Sequence, residues 1–506
     1  MKKKIVIIGA GINGLVAANY LQRNGFQVTL IERKSKIGGA VSTDSFKHGG
    51  RKYIYPNGAS VLGFMQDFVF HDTGLNKYVS IYLPKHPEIV YFGTKNEPCL
   101  IYENLNKLKK ELATKWNEYG KVQDFFVDME NIANFLRRGY KKAEVPTIKQ
   151  AEKELSVNLV KLWIKGSAKN LLNHYFTSEQ ARMFFSISAT ESGPVFLDSS
   201  YSAFSIPLMA SGSIFGGKWG YVKGGIWQIT DALGQINKKL GVKIITSAEV
   251  IKVSQKDLQV KYFKSSKTHV TKSDFILFAT DPLTAARKLG DENLIQKISK
   301  KQFGGSSGKL VMAFKKPVQW IENTGLADFD MAMRYFVSTP TLSAMDKSSK
   351  QIKSKRVDFS PAYFEIYCEG AGDKKLGGKR NYDLIAVFFK NLFFDKKGKD
   401  LPKVKKQVEQ LILSKIKNRQ DLIKSILLTP KDLHELFYFP EGNIDHTELA
   451  SGQTFFDRNY SKNPQKNFYQ FGDNENIFYC AAGSYPCGSV AGTSGYMCAK
   501  QIIKNS

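Results

Sequence analysis

Lys4-Ile5-Val6-Ile7-Ile8-Gly9-Ala10-Gly11-Ile12-Asn13-Gly14 decides the fold of this 506-residue chain. The β-branched apolar run before Gly9 has the composition of a strand buried on both faces. A helix-like segment, Leu15–Asn24, follows the glycines, and a second apolar run, Val28–Ile31, ends in Glu32. The pattern is strand, glycine turn, helix, strand, with an acid eighteen positions after Gly14. Each part has a physical reason. Gly9 permits a tight turn, Gly11 lets a pyrophosphate approach the backbone, and Gly14 lets helix and strand pack closely. The helix N-terminus attracts phosphate charge, and Glu32 is placed to take ribose hydroxyls. The reading is a dinucleotide site; the plainer alternative is a strand-to-helix turn with no ligand.

Gly38-Gly39-Ala40 stands six residues beyond Glu32, after Arg33 and Lys34. Simple nicotinamide dehydrogenases lack this pair. It resembles the second phosphate-contacting motif of flavoproteins of the glutathione-reductase and amine-oxidase type. Glycines there leave room for a bulky ring, so the resemblance favours FAD over NAD.

The chain is too long for one core, and two or three domains are expected. With 42% hydrophobic and 24% charged residues it reads as globular. No apolar run is long enough for a membrane-spanning helix. Met1-Lys2-Lys3-Lys4 before an apolar run mimics a signal peptide. Cleavage there would destroy the first strand of the nucleotide unit, so the run is assigned to that unit. The five cysteines form no CxxC pair and no metal-ligand spacing, which points to reduced thiols and no metal. The net charge of +28 comes from lysines scattered through loops such as Lys347–Arg356, Lys374–Arg380 and Lys396–Lys406. No nucleic-acid motif accompanies it. The remaining readings are a lysine-rich background and attraction to an anionic membrane surface. The location expected is cytoplasmic, with peripheral contact at the inner membrane surface.

Helical spacing runs through Tyr102–Arg138 and Ile148–Phe176, with apolar faces such as Ile132, Phe135 and Leu136. These segments read as an inserted cap. Ile229–Leu240 predicts a helix, and strands are expected at Gly241–Ile245, Ala248–Val253, Leu258–Phe263, Thr268–Val270 and Phe275–Ala279. Lys309–Phe314, Ala362–Tyr367 and Asp383–Phe389 are further strand candidates, and Val404–Lys417 is a helix candidate. Ile477–Gly483 is a strand into glycine, followed by a Gly-rich loop, Ser484–Gly495, and a helix, Tyr496–Ile503. This is a second anion cradle, and two cradles at opposite ends of one chain suit one large folded cofactor.

Four blocks, Ile5–Ala40, Trp219–Val253, Thr429–Glu448 and Ile477–Ala499, together resemble the phytoene-desaturase-type branch of the FAD-dependent amine-oxidase superfamily. Within it, the form Gly38-Gly39-Ala40-Val41 is similar to the pyridine nucleotide-disulfide oxidoreductase domain-containing protein 2 subgroup and its bacterial relatives. Cys487 departs from that subgroup's pattern, which has glycine there. The resemblance implies an α/β fold. A Rossmann-like, glutathione-reductase-type FAD domain would be assembled from 1–90, 215–300 and 456–506. An α+β substrate or cap domain would comprise 91–214 and 301–455. Gly9, Gly11 and Gly14 would then take the pyrophosphate and Glu32, followed by Arg33, the adenosine ribose. Gly38, Gly39 and Ala40 would pass close to the diphosphate and flavin, and the Val250 backbone would meet the adenine edge. Gly483, Ser489 and Val490 would line the isoalloxazine, where a helix dipole stabilises a reduced anionic flavin.

The expected reaction is hydride transfer from a substrate C–H to the flavin, with oxygen or a quinone as the final acceptor. Few bases present themselves. His446 lies beside Asp445 and Glu448 and is a candidate general base, against the alternative of a structural histidine in a tight turn. Glu191 is a second candidate and Tyr201 a third. Phe204, Phe215, Trp219, Tyr221 and Trp227 either wall an apolar channel or pack in the core. Three readings stand: an oxidoreductase on an isoprenoid, retinoid or acyl chain; an amine oxidase; and a non-catalytic prenyl- or lipid-binding protein of the GDP-dissociation-inhibitor kind.

Overall fold

The computed structural model describes residues 2–85, 88–93, 97–322, 325–338 and 341–506. Its first sheet has five parallel strands in the order Ile477–Tyr479, Phe275–Phe278, Lys4–Ile8, Gln27–Ile31, Lys243–Ile245. The opening run occupies the middle. Ile5–Ile8 pairs with Val28–Ile31 on one side and with Phe275–Phe278 on the other. A strand with neighbours on both edges and layers on both faces must be apolar throughout, and Ile5 to Ile8 are all buried.

The helix Ile12–Arg23 returns across this sheet and packs against Gln228–Lys239 and the C-terminal helix Thr493–Asn505. Its buried polar groups are satisfied. Asn19 donates to the Asn237 side chain at 3.0 Å, and Asn237 donates to the Leu15 carbonyl at 2.9 Å. The C-terminal helix begins at Thr493, three residues earlier than its sequence suggests. Gly495 reads as loop but lies inside the helix, where its lack of a side chain lets the Asn13 backbone pass beside it. A Cβ there would fall 2.1 Å from the Asn13 carbonyl oxygen. The Tyr102–Arg138 segment is two helices, Leu105–Trp116 and Val122–Lys142, parted at Asn117, which adopts a left-handed conformation. A small antiparallel sheet, Glu249–Ser254, Gln259–Lys264 and Lys267–Lys272, bridges two strands of the parallel sheet.

The second sheet has seven strands in the order Leu422–Leu428, Ser307–Phe314, Asp383–Lys390, Tyr363–Tyr367, Met333–Val337, Glu88–Phe92, Cys99–Ile101. All pairs are antiparallel except Met333–Val337 with Glu88–Phe92. Side chains alternate between faces with a period of two. Leu310, Met312, Phe336, Phe364, Ile366 and Val387 point to one face and form a core with Val404, Val408 and Ile412 of the helix Leu401–Leu413. Lys309, Tyr335, Glu365 and Lys390 belong to the opposite set, toward the helices that follow Leu105.

Two adjoining cavities as the candidate functional site

A cavity of about 630 Å³ runs along the ends of the parallel strands. Gly9, Gly11, Glu32, Arg33, Gly38, Gly39, Ala40, Val250, Ser489, Val490 and His446 all line it. Gly9 has φ +105°, and a Cβ there would sit 2.7 Å from the Ala279 carbonyl oxygen. Gly38 donates its N–H to the Ala10 carbonyl at 2.8 Å, so the two glycine motifs touch. A Cβ on Gly39 would come within 3.1 Å of the Gly11 Cα. The wall beneath a ligand is therefore bare backbone.

Two expected contacts differ. Gly14 lies within the helix and does not line the cavity. A Cβ there would stand 2.2 Å from the Gly9 carbonyl oxygen, so its glycine serves helix-on-strand packing. Gly483 also lies off the wall. Its carbonyl accepts the Tyr460 hydroxyl at 2.9 Å, and a Cβ would press on Tyr479 Oη at 2.7 Å. The strand ends sooner than the glycine suggests, so Ala481, Ala482 and Gly488 line the wall instead. Cys487 is buried behind this loop, and burial pushes its thiol well above the usual range. All five cysteines are free thiols.

One end of the cavity is built around Glu32. Its Oε2 accepts the Ala10 N–H at 2.8 Å and its Oε1 the Lys34 N–H at 2.9 Å. Each oxygen keeps lone pairs for hydroxyl donors in the cavity. Arg33 stacks on Tyr438, and Lys34 lies 4.8 Å from the Phe437 ring. Val250 lies on an outer strand whose register slips between Val250 and Lys252, and Ile251 lines the cavity beside it.

At the other end Ser489 and Val490 have φ of 60° and 58°. Left-handed geometry is costly for a β-branched residue, and strain of this kind is held by surrounding structure. Here Gly488 donates to Asp445 Oδ1 at 2.7 Å. The buried Arg458 donates to the carbonyls of Asp445 at 2.5 Å and Ala482 at 2.8 Å, tying the two loops. His446, φ 65°, lies within the tied turn. Burial, helped by Arg458, lowers its imidazole to about 3. It stays neutral at ordinary pH and is a poor resting place for a proton. Lys309, which the sequence reading passed over, also lines the cavity. Its ammonium donates to the Pro56 carbonyl at 2.9 Å, the Gly58 carbonyl at 2.7 Å and Ser60 Oγ at 2.7 Å.

A second cavity of about 520 Å³ adjoins this end and shares Ala59, Ser307, Phe388, Ile444, Ser489 and Val490 with the first. Phe125, Phe126, Met129, Phe184, Phe185 and Trp219 give it aromatic and apolar walls. Of the five aromatics expected in a channel, only Trp219 lines it; Phe204 and Tyr221 are core. Glu191 lines this cavity, whereas Tyr201 does not. The polar face of the seven-stranded sheet supplies Glu88, Tyr335, Glu365, Tyr367 and Lys390. Burial raises Glu88 to about 7.

Residues 12–358 match the family model described as flavin containing amine oxidoreductase, well over half of the chain. The chain belongs to that family. Its cofactor is FAD, and it is an FAD-dependent oxidoreductase. It is 21% identical to the rat pyridine nucleotide-disulfide oxidoreductase domain-containing protein 2, over 99% of this chain and 93% of that one. It is 27% identical to a 4,4'-diapophytoene desaturase of Staphylococcus haemolyticus, over 49% of this chain and 48% of that one. A solved putrescine oxidase variant shares the fold, with a TM-score of 0.62 at 13% identity over the whole of both chains.

The residues present fit FAD. The first cavity offers a side-chain-free cradle at Gly9–Gly11 and Gly38–Gly39, an acid with spare lone pairs, and a backbone-rich far end. Bound there, FAD supplies a two-electron acceptor. Gly9, Gly11, Glu32, Gly38 and Gly39 would hold it, and the second cavity adjoins the first at Ser489 and Val490.

Proposed function

We propose that the protein oxidises a lipophilic substrate, an isoprenoid, retinoid or acyl chain, held in the second cavity. The observation that carries this reading is the shared wall. An aromatic chamber of about 520 Å³ meets the FAD cavity at Ser489, Val490 and Phe388. The aromatic wall of Phe125, Phe126, Phe184, Phe185 and Trp219 suits a hydrocarbon chain. The similarity to a diapophytoene desaturase supports the same substrate class. The discontinuous division into an FAD domain and a substrate domain belongs to this reading. In it Glu32, the paired glycines and Val250 hold the cofactor, while Glu191 in the chamber and His446 on the cofactor side are the candidate polar groups. Oxygen or a quinone takes the electrons onward.

A second reading, amine oxidation, is favoured by the carboxylates of the chamber, Glu88, Glu191 and Glu365, which suit a cationic substrate. Anaerobic mixing separates the two. Bleaching of the bound flavin by polyenes or acyl lipids supports the first, and bleaching by amines alone overturns it. A purified protein that neither carries nor takes up flavin would restore the lipid-binding reading.

Among the described residues no helix is long and apolar enough to cross a membrane. We infer that the +28 charge draws the protein to anionic membrane surfaces, where such substrates reside. Liposome co-sedimentation at low salt tests this; absence of binding to anionic vesicles there removes it.

A further inference from the structure

Glu365 and Lys390 stand on neighbouring strands of the seven-stranded sheet. Glu365 is paired in register with Phe388, and Lys390 with Ser307. Phe388 and Ser307 each line both cavities, so the two charged residues flank the junction. Lys390 is two residues beyond Phe388, which puts it on the face that Glu365 uses. Glu191 enters the same chamber from the turn after Ile187–Thr190. Tyr367 donates its hydroxyl to Glu365 Oε2 at 2.6 Å. The Lys390 ammonium is buried and donates no hydrogen bond among the described residues.

We propose that Glu191, Glu365 and Lys390 form the proton-accepting site of the chamber, receiving the proton released when the substrate is oxidised. This rests on the proposed function. In the step, one substrate C–H breaks and its electron pair leaves with the hydrogen as hydride to FAD. The neighbouring C–H, or N–H for an amine, breaks with its pair forming the new C=C or C=N bond. The proton goes to a carboxylate oxygen of Glu191 or Glu365.

The electrostatics suit that role. Two carboxylates compete for one proton, and burial favours the neutral form of each. Burial and Glu365 together raise Glu191 to about 8, while burial lowers Lys390 to about 7 against the pull of both acids. Asp445, from the turn beside His446, adds negative charge near Glu191 and Lys390. Glu88, raised to about 7 by burial and by Glu365, faces Glu365 from the neighbouring part of the sheet. Tyr335 and Tyr363 face the acids and stay protonated, since burial holds their hydroxyls far above the usual range. Burial and the nearby Glu365 hold the Tyr367 hydroxyl well above its usual range too. Cys487, near Glu191, is likewise held as a thiol. Near neutral pH the cluster therefore holds a proton and keeps an empty site, the balance that general acid–base chemistry requires. His446 cannot do this.

The test uses the FAD-loaded full chain and needs no substrate. The midpoint potential of the flavin is measured by spectroelectrochemistry across pH 6 to 9 in wild type, E191Q, E365Q and K390M. Adding negative charge to the flavin raises proton affinity at an adjoining site, so the wild-type potential falls more steeply with pH around 7 to 8. In E191Q and E365Q that extra slope disappears, with flavin content unchanged. Superimposable curves in all four proteins would overturn the proposal. If E191Q does not fold, E365Q and K390M carry the comparison. In a second arm, whichever compound class bleaches the flavin should do so about a hundredfold more slowly in E191Q or E365Q. An unchanged rate in both also overturns it. Failure of every compound to bleach the flavin speaks against the proposed function, while the potentials still decide the proton site.

Discussion

The Glu32 carboxylate accepts the backbone N–H of Ala10 at 2.8 Å, so the acid ending one strand closes the turn that follows its neighbour. One side chain thus braces the glycine loop and lines the cavity with its remaining lone pairs. Glu32→Ala removes both functions. The buried Ala10 N–H loses its acceptor, a loss of about 1–3 kcal/mol. Flavin retention through gel filtration should fall at least about tenfold in affinity terms, near 1.4 kcal/mol, and the unfolding midpoint in denaturant should drop with it.

Gly14→Ala tests the packing role that displaces Gly14 from the ligand. Its Cβ would stand 2.2 Å from the Gly9 carbonyl oxygen, which is backbone and cannot swing aside. The helix must shift from the sheet, so thermal stability should fall even in flavin-free protein. Were Gly14 only a phosphate contact, the flavin-free variant would melt with wild type.

His446 is lowered to about 3 by burial, against about 6.5 in an unfolded chain. Between those values the unfolded state binds the extra proton, so stability rises with pH and is lost as pH falls below about 6.5. The slope from this one group approaches about 1.4 kcal/mol per pH unit. Asn tolerates the left-handed φ of 65° at this position. His446→Asn should therefore flatten the acid limb of a stability–pH curve measured by urea unfolding from pH 7 to 4. An unchanged limb would show that the imidazole is solvated.

Met129 of the helix Val122–Lys142 lines the second cavity and lies away from the first. Met129→Trp narrows the chamber without touching the flavin wall. Flavin content should match wild type, while the rate of bleaching by long-chain substrates falls more than that by short ones. Equal loss for all chain lengths would place the substrate elsewhere.

What the sequence revealed follows from the range over which its signals act. Lys4–Glu32 is one local unit whose parts are neighbours in the chain, so spacing and composition suffice to read it. Gly483 and Gly495 show where spacing misleads: a glycine after a strand reads as loop whether it faces a ligand, a tyrosine hydroxyl or another helix. The second cavity was out of reach for another reason. Glu88 joins the chamber by pairing with the distant Met333, Lys390 by the pairing of its strand with that of Glu365, and Glu191 from a turn outside the sheet. The polar alternation of Tyr363, Glu365 and Tyr367 is visible in the sequence. Only the sheet order shows that it faces a chamber rather than water.

The two-faced character of the seven-stranded sheet has a consequence for how this enzyme diversifies. Leu310, Phe364, Ile366 and Val387 hold the sheet to its covering helix, while Tyr335, Glu365 and Tyr367 on the other face line the chamber. A mutation in one set alters solvent-hidden packing; a mutation in the other alters the wall of the chamber. Foldability and selectivity are thereby written on alternate letters of the same strands. A substitution that reshapes the chamber therefore leaves the packing of sheet on helix in place.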